Sequence, residues 1–246
     1  FIYTTVNGVN QLTVRKTFGI PSSNPNATKE MTIVLSTIGV VGPNATEILN
    51  DGTVIRYINI LTIDPITTIV PPSGSIPLAW WFGKGGVFTV YGKVKSISIT
   101  LPDGTYEYNP QNQLTRISLK DARKTVIEFF YDLGAYISKT PTYIKKTFGV
   151  SDPTKPNEVK SVEINLGRVI LTPVVGVPRI GEAIEKLNDG TIKIYQIKGV
   201  TTAPIGVPPG MSVLSDTMNP KIGARMIVYG TLKSITAPVP LLTVTR

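Results

Sequence analysis

The sequence predicts an all-β protein: two tandem modules, each a β-sandwich or small barrel, joined by one connecting helix. Three observations lead there. Val, Ile, Thr and Tyr recur along the whole chain, with 22 Gly and 20 Pro between the runs, the residue vocabulary of strands and turns. The two halves carry the same motifs in the same order. One segment between them has apolar residues at helical spacing.

At 246 residues the chain exceeds the usual single domain and accommodates two modules of about 100 residues. Apolar residues make up 41% and charged residues 17%, the latter below the roughly 25% usual in soluble domains. Such a composition supports packed cores rather than disorder.

The repeat is read by aligning the chain with itself. Val14-Arg-Lys-Thr-Phe-Gly-Ile20 returns as Ile144-Lys-Lys-Thr-Phe-Gly-Val150, and Leu49-Asn-Asp-Gly-Thr53 returns unchanged as Leu187-Asn-Asp-Gly-Thr191. Val70-Pro-Pro72 matches Val207-Pro-Pro209, and Val90-Tyr-Gly-Lys-Val-Lys-Ser-Ile-Ser98 matches Val228-Tyr-Gly-Thr-Leu-Lys-Ser-Ile-Thr236. The chain is therefore divided into a β-prone tail (1–13), a first module (14–100), a connector (101–143), a second module (144–236) and a C-terminal strand (237–246). Within each module the Asn-Asp-Gly turns lead into β-branched runs from Thr53 and Thr191, a hairpin signal because these residues accept positive φ. Asp103-Gly104 repeats that signal after the first module. The Val-Tyr-Gly strands close each unit.

The connector reads differently. Val126, Ile127, Phe130 and Leu133 fall at helical spacing with charges opposite, which predicts a helix over 119–133. Ser118 with Asp121 three residues on supplies its start, and Gly134 its stop.

Neither Cys nor His is present. That excludes Cys-ligated zinc, thiolate chemistry and any mechanism using an imidazole base, so the expectation is a protein that is not an enzyme and holds no cofactor. The formal charge of +9 and pI near 9.6 favour anionic surroundings. The basic residues are scattered in ones and twos, as at Arg15-Lys16, Lys93-Lys95 and Lys145-Lys146, so no nucleic-acid stripe is expected. No apolar run is long enough to span a membrane as a helix. A start at Phe1 fits a mature secreted protein or a trimmed chain.

Candidate sites are few. Asp51, Asp103 and Asp189 are explained by Asp-Gly turns, and no Asp-x-Asp-x-Asp-Gly loop supports calcium. Trp80-Trp81-Phe82, before Gly83-Lys-Gly-Gly86, has no counterpart in the second module. It either stacks on sugar, forms an assembly contact, or buries between modules, and burial is the favoured alternative. Asn26-Ala-Thr28 and Asn44-Ala-Thr46 are sequons, so Asn26 and Asn44 are candidate sites for N-linked glycan. The tails Phe1-Ile-Tyr-Thr-Thr-Val6 and Leu241-Leu-Thr-Val-Thr-Arg246 lie outside the repeats. Each is either a strand donated to a neighbour or one paired within its own chain.

Absence of Cys and His, low charge, abundant Thr, Ile, Val and Pro, sequons and a β-prone N-terminal tail together resemble the subunits of extracellular filaments of thermophilic archaea, whose thread-type pilus members join by donor-strand complementation. The resemblance implies an extracellular, cell-surface location and polymerisation through Phe1, Ile2, Tyr3, Thr4, Thr5 and Val6. The partners expected are further copies of the chain, together with other surface components. A viral capsid or turret protein and a carbohydrate-binding module are the alternatives.

Overall fold

The computed structural model describes residues 2–6, 9–18, 23–36, 44–63, 70–83, 86–132, 140–149, 152, 154–167, 177–203 and 207–238. They form sixteen strands: β1 (Ile2–Val6), β2 (Val9–Thr17), β3 (Thr28–Ser36), β4 (Asn44–Leu49), β5 (Val54–Ile63), β6 (Ile76–Gly83), β7 (Gly86–Leu101), β8 (Gly104–Tyr108), β9 (Leu114–Leu119), β10 (Thr125–Phe130), β11 (Tyr143–Phe148), β12 (Val159–Asn165), β13 (Glu182–Leu187), β14 (Ile192–Thr201), β15 (Ser212–Asn219) and β16 (Ala224–Thr236). The protein is all-β, and no helix occurs among the described residues.

The chain divides into two compact units. The first takes Phe1–Leu101 and Thr105–Gln113, and the second takes Pro102–Gly104 and Leu114–Arg246. Strands in the first are ordered β1-β2-β3-β4-β5-β7-β8, with β6 on β7; the second runs β9-β10-β11-β12-β13-β14-β16-β15. All the strand registers are antiparallel.

Inside the first unit, one row of directly opposed residues crosses five strands: Val14, Ile33, Ala45, Tyr57 and Val94. Ile144, Ile164, Ala183, Tyr195 and Leu232 form the same row in the second. Opposed residues in a pleated sheet share a face, so these rows define each unit's inner face, except that Leu232, beside the Ile194/Tyr195 bulge, is 48% exposed. Ile33, Ala45 and Tyr57 are buried, as are Ile144, Ile164, Ala183 and Tyr195. Met31, Ile60 and Val90 complete the first core, with Leu35, Ile55 and Leu78 packed against it.

The Asn-Asp-Gly hairpins form as the sequence predicts, joining β4 to β5 and β13 to β14. Gly52 and Gly190 take φ of 84° and 86°, a conformation costly for any residue with a Cβ. Asp51 and Asp189 each accept the amide two residues on, at 2.8 Å.

Bulges bend the sheets. Register shifts occur at Arg56/Tyr57 and Ile58/Leu61 on β5, and at Ile194/Tyr195 and Ile197/Gly199 on β14. Others lie at Pro77/Ala79 on β6 and Val213/Ser215 on β15. An extra residue on one strand coils the ladder, and within each unit the sheet curls until strands far apart in the order approach. Lys16 on β2 places its ammonium 6.0 Å from the Trp80 ring on β6, and Lys146 on β11 feels the carboxylate of Asp216 on β15.

The expected connecting helix is corrected. Residues 114–130 form the hairpin β9–β10, with Ser118 opposite Val126 rather than capping a helix. Thr125, Ile127 and Phe129 alternate as buried positions, a period of two that outcompeted the helical spacing. The β-branched and aromatic run Thr-Val-Ile-Glu-Phe-Phe favours the pleated surface. Asp121 closes the turn instead of a helix: its carboxylate accepts the Thr125 amide at 2.8 Å and hydroxyl at 2.5 Å. Leu133 and Gly134, the remaining residues of that expectation, lie outside the described residues.

Candidate functional site

The termini and the aromatic cluster were the places where the sequence pointed to function. Of the N-terminal six, Phe1 lies outside the described residues. Ile2, Tyr3, Thr4, Thr5 and Val6 form β1, antiparallel to β2 from Ile2 opposite Thr13 to Val6 opposite Val9. The tail is thus paired within its own chain, and β1 stands at the end of the strand order. Ile2 is 52% exposed. Only Asn7 and Gly8 separate the two strands. An Asn-Gly pair between β-prone runs is the strongest short-range hairpin signal, and it favours the second of the two expectations for this tail, pairing within its own chain. At the other end, Ala237 and Pro238 follow β16 outside any strand, and residues 239–246 lie outside the described residues.

Trp80 and Phe82, two residues apart on β6, share a face and meet edge to face with centroids 5.3 Å apart. They are 58% and 76% exposed, so the expected burial of these rings is not what the fold gives them. Both Lys16 and Phe18 join the patch: the Lys16 ammonium lies 4.8 Å from the Phe18 centroid. The Trp81 side chain and residues 84 and 85 lie outside the described residues.

Asn26 is exposed in the turn before β3, its amide donating to Asn24 Oδ1 at 3.0 Å. Asn44 is half-buried as the first residue of β4, opposite Val34.

Titratable groups in the interior are held in structural pairs. Tyr57 donates to Glu47, and Tyr195 donates to Glu185 at 3.4 Å. Burial, then Glu185, pushes the Tyr195 hydroxyl up to about 12, and Tyr57 rises for the same reasons. Both phenols therefore stay protonated at neutral pH and serve as donors, not bases. Burial lowers the Lys146 ammonium, partly offset by Asp121 and Asp216. A cleft in the second unit is lined by Leu114, Phe129, Tyr131, Met226 and Arg225. The Tyr131 hydroxyl there donates to the Leu114 carbonyl at 2.9 Å, and Arg225 is held by Asp216 at 2.7 Å. Its polar groups are spent on the fold.

Among the described residues, no group of three or more Asp or Glu side chains is placed to hold a metal ion, and no helix is long and apolar enough to cross a membrane. No known protein family, curated protein or solved structure matches this chain.

Proposed function

We propose that this protein is a structural subunit of an extracellular filament or cell-surface assembly, built from a duplicated β-module and joined to its neighbours by donation of residues 1–6. The observation that carries the reading is β1: a strand at the end of the order, joined to the body through one neighbour, β2. Such a strand exchanges between copies at low cost, because the ladder it leaves is the ladder it forms elsewhere. The duplication is supported by the matching rows, turns and bulges of the two units. The protein acts by packing rather than chemistry, consistent with tyrosines and carboxylates committed to the fold. A location outside the cell, with glycan at Asn26 and Asn44, belongs to the same proposal.

The test is electron microscopy of the intact protein beside a variant lacking residues 1–6. Assembly by the intact chain and its loss on deletion is the expected result; unchanged assembly rejects strand donation. Deleting as far as residue 12 is a poorer test, since it removes part of β2, whose Val14 packs on the first core.

Exposure of Trp80 and Phe82 favours a second reading, in which this face stacks on sugar rings. Glycan binding lost on Trp80→Ala with the fold retained would establish it; absence of binding to a broad glycan panel would reject it.

A further inference from the structure

We infer that the face formed by Lys16, Phe18, Trp80 and Phe82 binds an acidic polysaccharide of hexuronic acid rings, one ring lying on Trp80 with its carboxylate on the Lys16 ammonium. The inference rests on the sugar-stacking reading of this face and names the class of sugar.

Three aromatic rings and one cation meet here from two strands of the first unit. Val14 and Lys16 stand two apart on β2 and so share a face; Val14 packs on the first core, and Lys16 is opposed to Met31 of that core. Lys16 therefore belongs to the inner face of the sheet, not to a strand edge. Its ammonium lies 4.8 Å from the Phe18 centroid and 6.0 Å from that of Trp80. Phe82 meets Trp80 edge to face, and both rings remain more than half exposed.

The repeat shows what a lysine at this place faces. Lys146 is the equivalent of Lys16 in the repeated motif. On β15, Val213 stands opposite Tyr229, Ser215 opposite Val228 and Asp216 opposite Ile227. On β6, Pro77 stands opposite Tyr91, Ala79 opposite Val90 and Trp80 opposite Thr89. Trp80 thus holds the place of Asp216. In the second unit the Asp216 carboxylate attracts the Lys146 ammonium. In the first, an indole stands where that carboxylate would be, and no ion pair of Lys16 occurs among the described residues. The acids of β3 and β4 are spent elsewhere: Glu30 accepts two Arg15 N–H groups at 3.0 and 2.8 Å, and Glu47 accepts the hydroxyls of Thr28 and Tyr57.

A ligand for this face supplies what the chain omits, a carboxylate, and covers what the chain leaves bare, an indole. A neutral sugar uses only the ring face, and a simple anion uses only the ammonium. A uronic acid carries an apolar C–H face and a carboxylate on the same ring, so it engages both. The formal charge of +9 further draws a polyanion toward the protein.

The probes are galacturonate, mannuronate and glucuronate oligosaccharides, each beside its methyl ester, which keeps the ring and removes the charge. Polyacrylate, which keeps the charge and has no ring, is the third comparison. Calorimetric titration at low salt is expected to show at least one acid bound roughly fivefold tighter than its ester. Lys16→Gln should erase that preference, and Trp80→Ala should weaken acid and ester alike. Lys198→Gln, which removes an equal charge from an exposed position of the second unit, should leave the preference intact. Lys16, Trp80 and Lys198 are all exposed, so the variants should fold, and unchanged urea midpoints check this. Esters bound as tightly as their acids, with binding lost in Trp80→Ala, would overturn the acidic class and leave sugar stacking standing. Binding to none of these oligosaccharides would overturn the inference. So would acid binding that is matched by polyacrylate and kept in Trp80→Ala, since charge alone would then account for it.

Discussion

Glu182 shows how single residues hold these sheets together and where acid will loosen them. It is buried at the start of β13, and the Lys233 ammonium reaches it from β16 at 2.6 Å. This hydrogen bond, working against burial, holds the Glu182 carboxyl below its ordinary value of 4.5. A depressed carboxyl stabilises the fold fully above its unfolded value, and that contribution drains away as pH falls through the folded one. Urea midpoints measured from pH 7 down to pH 3 should therefore fall below about pH 4.5, and fall less steeply in Glu182→Gln. Lys233→Met should cost about 1 kcal/mol at pH 7, since the lysine is half exposed and solvent screens it while the carboxylate stays buried. An equal pH slope in the native protein and Glu182→Gln would remove this pair from the acid response. Nothing in the sequence marked the pair, because partners 51 residues apart meet only after β14 and β16 have aligned.

At the scale of elements, strands were legible where turn chemistry bracketed them and misread where it did not. Asn-Asp-Gly and the Val-Tyr-Gly runs placed β4, β5, β7, β13, β14 and β16. Residues 119–133 misled because four apolar residues fit a period of 3.6 while Thr125, Ile127 and Phe129 fit a period of two; the β-branched and aromatic run and the Asp121 turn on Thr125 favour the second. The glycines of the two Val-Tyr-Gly motifs expose a difference between equivalent strands. A Cβ on Gly92 would come within 2.7 Å of Ile60 Cδ1 and Leu78 Cδ1, the mobile ends of side chains. On Gly230 it would lie 2.5 Å from the Gln196 carbonyl oxygen, part of the neighbouring strand's backbone. Side-chain tips can rotate away, but a ladder carbonyl moves only with its strand. Gly92→Ala should cost about 1 kcal/mol and Gly230→Ala about 3 kcal/mol by chemical denaturation. Equal losses would mean that β14 and β16 give way as readily as a side chain.

Over the whole chain, the repeated motifs are the feature the sequence displayed most openly, and the structure gives equivalent motifs different neighbours. Four motif pairs were visible by alignment, yet their meaning was not, since a motif read alone does not say which strand lies beside it. Val14-Arg-Lys-Thr-Phe18 and Ile144-Lys-Lys-Thr-Phe148 would be assigned the same burial by any pattern of hydrophobicity. They differ because β10 lies beside the whole of Tyr143–Phe148, whereas among the described residues β1 pairs with β2 along residues 9–13. Trp80 and Asp216 make the same point on the opposite strand. Each stands opposite a residue next to its bulge partner, Thr89 and Ile227, and each is approached by the lysine of its unit's matching motif, Lys16 or Lys146. In the second unit that encounter is an attraction between the half-buried Lys146 and the exposed Asp216, which Arg225 also holds; in the first it is a cation 6.0 Å from the exposed Trp80 ring. The motif of the second unit is thus covered along β10, while that of the first is exposed from Arg15 to Phe18.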